Sequence, residues 1–185
     1  MIPNERSILL DQDGVLADTM GTVLDVVQYE TGVSLCHADI KDYWFKGLEV
    51  EPRFFLDALK CVGLYRNLGV MTGAVRAVNR LRETYHDNIF VVTAPMKGCE
   101  ETCEVEKREW LAEHFDVDFA ERAIVTQDKT EVLGRVLVED NPDIPRTANW
   151  QPILFDQPWN RHVPDLPVMR NWGDLTVIEA NYAQV

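Results

Sequence analysis

Positive charge is in short supply. The 185 residues carry 18 Lys and Arg against 31 Asp and Glu, a formal net charge of −13. A nucleic-acid polymer would meet a repelling field instead of releasing counterions on binding, so no such partner is expected. Long apolar runs are lacking too: none reaches the roughly 20 residues that cross a bilayer. The opening stretch MIPNERSILL has neither the basic nor the apolar block of a secretory signal. No membrane partner and a cytoplasmic location are the resulting expectations. Cysteines are few, namely Cys36, Cys61, Cys99 and Cys103, and only the last two lie close together. Zinc would need a second ligand pair, and His37, His86, His114 and His162 are too scattered to supply it, so reduced, partly buried thiols are expected. Repeats and low-complexity tracts are missing as well. The remaining composition, 46% hydrophobic and 26% charged, suffices for one core with a small lobe.

Short apolar, β-prone runs occur at Ser7 to Leu10, Asn88 to Val92, Arg135 to Val138 and Pro152 to Phe155, each stopping at polar or turn-forming residues. Helical spacing occupies Met20 to Tyr29, Ala74 to Tyr85 and Val105 to Phe115. Strands alternating with helices predict an α/β fold, a Rossmann-like parallel sheet with helices on both faces. Ligands of such sheets sit beyond the carboxyl ends of the strands. The alternation breaks between about Gly32 and Asn67, where Tyr43, Trp44 and Phe45 cluster before Pro52 and a short helical run. Residues 32–67 are therefore read as a small helical cap inserted after the first strand and helix, with 1–31 and 68–185 forming the core. Asp156 to Asn171, with three prolines, reads as an extended surface segment before a short closing element.

The chemistry concentrates in Asp11-Gln12-Asp13-Gly14, where the first strand ends. Two carboxylates one residue apart, on a turn that Gly14 permits, can converge with a third acid on a hard divalent cation. Such a turn alone is as often an ordinary acidic loop as a site. Three further strand-end or loop positions add complementary groups: Thr93, Lys129 and the Glu139-Asp140 pair. A hydroxyl and a cation can hold phosphate oxygens while Asp140 completes a metal sphere. Singly, Thr93 could satisfy a turn and Lys129 could be a solvated surface charge; four such positions at one sheet edge argue for a site.

In this order the residues resemble the haloacid dehalogenase superfamily of phosphohydrolases, whose motifs are DxDG, a Thr or Ser after the second core strand, a Lys and a closing acidic pair. The wording from Asp11 to Asp18 (DQDGVLAD), from Thr126 to Thr130 (TQDKT), Leu154-Phe155 and Asn160-Arg161-His162 is similar to the 5′(3′)-deoxyribonucleotidases over nearly the whole chain. The resemblance implies hydrolysis of nucleoside monophosphates with Asp11 as nucleophile and Asp13 as general acid and base. It also implies magnesium held by the Asp11 and Asp140 carboxylates and the Asp13 carbonyl. Thr93, the Ala94 amide, Lys129 and Lys97 would then cradle the phosphate. Relatives with this kind of cap often dimerise, which makes a homodimer an assembly to test.

The sequence departs from the family pattern at three places. Glu139 stands where a second aspartate is common, Thr19 where an aromatic is frequent, and Leu59 about where a cap tryptophan is expected. The base pocket is consequently assigned to Thr19, Tyr43 and Trp44, the two aromatics being candidates to sandwich a flat base; the alternative is that they fill the core of the cap. Two other functions compete. A hydrolase of sugar phosphates or phosphoserine would share all four motifs, because the cap chooses the leaving group. A signalling receiver module would also place acids, a hydroxyl and a lysine at strand ends, but it needs its acceptor Asp on a middle strand, and the span from Arg66 to Thr93 offers only Asp87, before its strand.

Overall fold

The computed structural model describes residues 2–146 and 148–183. Strands β1 (Ile8–Leu10), β4 (Ile89–Thr93), β5 (Ile124–Val125), β6 (Val136–Glu139), β7 (Gln151–Phe155) and β8 (Val168–Met169) form one sheet in the order β5-β4-β1-β6-β7-β8. Every pairing in it is parallel. Their residues are β-branched or bulky and mostly buried, as a sheet covered on both faces requires. Leu10 pairs with Val91 on one side and Val138 on the other, so β4 runs two residues and β6 one residue past the end of β1 at the same edge of the sheet. The chain leaves β1 for one neighbour and returns later to the other, which opens a crevice at the carboxyl end of β1.

Alternate strand residues face two clusters. Ile8, Leu10, Ile89, Val91, Val136 and Val138 meet the buried sides of the helices α1 (Thr19–Thr31), α3 (Ala74–Tyr85), α4 (Glu100–His114), α5 (Val117–Glu121) and α6 (Thr176–Ala183). Leu9, Phe90, Leu137 and Leu154 face the other way. That second face is covered, as expected, but by turns and loops carrying Val132, Ile144 and Trp150 where helices were expected. The chain is short, and the connections on that side are too brief for helices of useful length.

Local chemistry explains the helix limits. The Asp18 carboxylate accepts from the Gly21 amide at 2.9 Å and caps α1, and Gly32, at φ 73°, ends it in the left-handed conformation. In α3 the buried Ala74, Ala77, Val78 and Leu81 recur at helical spacing. The segment 32–67 contains one helix, α2 (Pro52–Ala58), together with two 3-10 turns, and α2 lies against α1. A two-residue ribbon joins β2 (Ala17–Asp18) to β3 (Gly69–Val70) at the base of that segment. Phe45 stacks on Phe55 at 4.5 Å within it.

The region Asp156 to Asn171 departs in part from the expected extended surface segment: most of it is exposed or half-buried, but a few side chains are not. Gln157, Trp159 and Asn160 are buried, and Val168–Met169 adds the edge strand β8. Proline content signalled irregular backbone correctly, but irregular backbone can be buried where side chains satisfy it. All four cysteines are free; Cys103 is buried and Cys99 half-buried, whereas Cys36 and Cys61 are exposed.

Candidate active site

The loop after β1 turns within a few residues. The Gln12 carbonyl accepts from the Leu16 and Ala17 amides at 2.9 and 2.8 Å, and the Gly14 amide donates to the Ala17 carbonyl at 2.9 Å. Gly14 takes φ 66°, and a Cβ there would lie 2.3 Å from Asp140 Oδ2. Only glycine lets the third acid approach this loop. Two buried side chains from the 157–172 region brace it: Gln157 Nε2 donates to the Gly14 carbonyl at 2.6 Å and Trp172 Nε1 to the Val15 carbonyl at 2.8 Å. Asn160 Nδ2 donates to the Asp140 carbonyl at 2.9 Å, holding the loop after β6 as well.

Asp11, Glu139 and Asp140 are buried and present carboxylate oxygens within 4.8 Å of one another. Lys129 is the cation among them, 2.8 Å from Asp11 Oδ1 and 2.6 Å from Glu139 Oε2. Three carboxylates facing one ammonium leave an excess of negative charge. Burial, then Glu139, pushes the Asp11 carboxyl up to about 7 against the opposing pull of Lys129. Burial with Glu139 and Asp11 holds Asp140 well above the usual carboxylate range. Burial also acts against Glu139, but Lys129 overcomes it and keeps that carboxyl low. Conversely Lys129 is raised by Asp11 and Glu139 in spite of its burial.

This is a donor set that suits a small divalent cation. Glu139 is committed to Lys129 and to the amides of Asp140 and Asn141, at 3.1 and 3.2 Å. Among the described residues no N–H or O–H donor reaches the Asp140 carboxylate, and Asp11 Oδ1 takes both the Gln12 amide and Lys129, leaving Oδ2 without a protein donor. Hard oxygen ligands in a pocket with surplus negative charge favour magnesium over softer ions.

Asp13 points to the other side of the turn. Lys107 Nζ donates to Asp13 Oδ2 at 2.5 Å, to Thr93 Oγ1 at 2.7 Å and to the Ala94 carbonyl at 2.7 Å. Thr19 Oγ1 donates to Asp13 Oδ1 at 2.8 Å. Thr93, the last residue of β4 and an expected phosphate ligand, is completely buried, its hydroxyl accepts from that ammonium, and neither Thr93 nor Lys107 is in the wall of the cavity over the cluster. Lys107 went unread in the sequence. The signal was there: Cys103, Lys107, Trp110 and Leu111 form the buried stripe of α4, and a lysine on such a stripe requires a partner. Its neighbour Glu106, also buried, accepts the Gly63 and Tyr65 amides at 2.6 and 3.2 Å, tying the end of the 32–67 segment to the same helix.

A cavity of about 580 Å³ opens over these groups, with Asp11, Asp13, Ala94, Lys129 and Asp140 in its wall. Its volume is that of a small-molecule site. Lys97 stands on its exposed rim, beyond the acid cluster. Thr19, Tyr43 and Trp44 all line it, and so does Leu59. The Tyr43 and Trp44 rings are perpendicular, 5.2 Å apart, and Trp44 is 55% exposed. They do not present the two parallel faces that a sandwich around a base requires, because both project from one loop in succession.

A parallel sheet with this acid cluster at its switch point defines a haloacid dehalogenase-type hydrolase fold. A crystal structure of a haloacid dehalogenase-like protein from Agrobacterium tumefaciens superposes with a TM-score of 0.59 at 15% identity, covering 97% of this chain and 99% of that one. Residues 5–182 match the family of 5′ nucleotidase, deoxy (pyrimidine), cytosolic type C proteins, and the chain belongs to that family. It is 34% identical over 182 residues to a Bordetella pertussis protein provisionally named 5′(3′)-deoxyribonucleotidase, covering 91% of this chain and 94% of the other. It is 29% identical over 181 residues to the human mitochondrial 5′(3′)-deoxyribonucleotidase, covering 90% and 78%. The chain is thus a phosphoric monoester hydrolase of the nucleotidase class. Among the described residues no helix is long and apolar enough to cross a membrane.

Proposed function

We propose that this chain hydrolyses deoxyribonucleoside 5′-monophosphates, and the 3′-monophosphates with them, to nucleoside and inorganic phosphate through a phospho-Asp11 intermediate. The observation that carries the reading is the meeting of Asp11, Asp13, Lys129 and Asp140 around one cavity, from three separate stretches of sequence. Asp11 Oδ2, without a protein donor, is the oxygen available to attack phosphorus. The bond from phosphorus to the nucleoside oxygen breaks with its electron pair on that oxygen, which takes the proton of the Asp13 carboxyl. Water then attacks phosphorus, giving its proton to the Asp13 carboxylate, and the bond to Asp11 breaks.

The Asp11 and Asp140 carboxylates with the Asp13 carbonyl would hold magnesium, which when bound supplies charge neutralisation at the phosphate oxygens. Lys129, Thr93, the Ala94 amide and, from the rim, Lys97 are the groups assigned to the phosphate. Residues 32–67 act as the cap that admits the nucleoside, with Tyr43 as the wall against the base and Trp44 at the entrance. The cation-poor surface fits a single small anion rather than a polymer.

The test is a panel of monophosphates assayed with magnesium on the wild type and on Asp11→Asn. Deoxynucleoside monophosphates should turn over faster than sugar phosphates, EDTA should abolish turnover, and Asp11→Asn should lower kcat on the order of 10³-fold or more. Faster turnover of sugar phosphates, or an active Asp11→Asn, overturns the reading.

A further inference from the structure

Asp13 is tethered at both of its oxygens by groups from different elements. Lys107, on α4, takes Oδ2, and Thr19, the first residue of α1, takes Oδ1. A carboxyl held at one oxygen still turns about its Cβ–Cγ bond, since that torsion is broad. Held at both, it cannot. Each oxygen retains a second lone-pair direction, so the two tethers leave Asp13 able to meet a further group.

The two tethers are themselves fixed. Lys107 is 1% exposed and satisfied by three acceptors. Thr19 is 8% exposed, is β-branched, and follows directly on Asp18, whose carboxylate caps the same helix through the Gly21 amide. The hydroxyl therefore cannot drift without loosening the start of α1. Thr19 also lines the cavity, so its two readings, a wall for the substrate and a hold on Asp13, are open to separation.

We infer that Thr19 is a positioning residue for the proton-transferring carboxyl: its hydroxyl, opposite Lys107, fixes the plane of Asp13 so that proton donation reaches the leaving oxygen. The inference rests on the proposed role of Asp13 as general acid. It assigns Thr19 to the chemical step and not to substrate affinity. A hydroxyl that only braces the fold would change stability, and one that only contacts the substrate would change KM. A hydroxyl that aims the acid changes kcat, and does so in proportion to how much the leaving group needs the proton.

The experiment compares Thr19→Val, which keeps the shape and removes the donor, with Thr19→Ser, which keeps the donor. Both are assayed with magnesium on a deoxynucleoside 5′-monophosphate and on 4-nitrophenyl phosphate, whose anion leaves without protonation, and leaving-group release is followed in the first turnover, because Asp13 serves both substrates alike as base in the later hydrolysis. Thr19→Val should lower the first-turnover rate of nucleoside release about 10- to 100-fold, the scale of a misplaced catalytic group, with KM nearly unchanged. Its loss on 4-nitrophenyl phosphate should be several-fold smaller, which also shows that the variant is folded. Thr19→Ser should recover most of the nucleotide rate. Equal losses on the two substrates, a change confined to KM, or a serine variant as impaired as the valine overturns the inference. Asp13→Asn, run alongside, separates the two levels of the argument. If it slows first-turnover release of the two leaving groups equally, the general-acid role itself fails; if it is selective and Thr19→Val is not, only the role of Thr19 fails.

Discussion

Replacing Lys107 by Met keeps the aliphatic stem and removes the ammonium, and its consequences for stability and for catalysis should diverge. The ammonium makes three hydrogen bonds, to Asp13, Thr93 and Ala94, from a side chain that is 1% exposed. A single neutral bond contributes about 1 kcal/mol net and a bond to a charged group about 1.5–3 kcal/mol. Against this, an ammonium taken out of water carries a desolvation cost of several kcal/mol that the methionine no longer bears. The usual penalty for an orphaned buried charge is also reduced, because the Asp13 side chain is 30% exposed and water can replace the lost partner. The net loss should then be about 1–2 kcal/mol, or a fall in Tm of roughly 2–8 °C for a chain of this size. Catalysis has no such compensation. Removing one preorganised donor from a reacting site costs about 10²–10³ in kcat, and here the same atom also holds Asp13. Thermal unfolding and steady-state kinetics with magnesium would check both figures. A variant with kcat within threefold of wild type refutes the reasoning, as does one whose activity loss merely follows its unfolded fraction.

Two further outcomes follow from the geometry. Gly14→Ala would force a side chain to φ 66° and against Asp140 Oδ2; denaturant unfolding should show a loss of about 1–2 kcal/mol, and titration should show weakened magnesium binding, whereas unchanged affinity would mean that Asp140 need not sit against Gly14. The Asp11 carboxyl, pushed up to about 7 from 3.8 chiefly by burial, binds its proton more tightly folded than unfolded. Stability of the metal-free protein should therefore fall as pH rises from about 4 to about 7 and level off above; the gain in Tm on adding magnesium should be larger at pH 8 than at pH 5, and a gain independent of pH would contradict the electrostatics.

The sheet and the acid cluster could be read from the sequence because both depend on short-range pattern. β1, β4, β6 and β7 are continuous apolar runs ended by polar turns, and Asp11 and Asp140 lie just after the ends of β1 and β6, whereas Lys129 sits in the connection between β5 and β6. Strands of two residues, β5 and β8, are too short to leave a period, and they exist only because a longer neighbour offers an edge to pair with. Lys107 was hidden for another reason. A charged residue on a helical stripe looks like an interruption until its partner, 94 residues away, is brought beside it. The same holds for Gln157 and Asn160, whose amides complete loops far from them in sequence. Tyr43 and Trp44 were found as a pair, but the angle between their rings is set by backbone in a loop without periodicity.

The bracing of the first loop by Gln157 and Trp172 has a bearing on how the protein is made. The carbonyls of Gly14 and Val15 are synthesised 143 and 157 residues ahead of the amide and the indole that hold them. A nascent chain released before position 172 would carry every acid and lysine of the cluster with its founding turn unsupported. Ribosomal stalling or proteolytic clipping ahead of Gln157 should accordingly silence the enzyme even though its acids and lysines are all present.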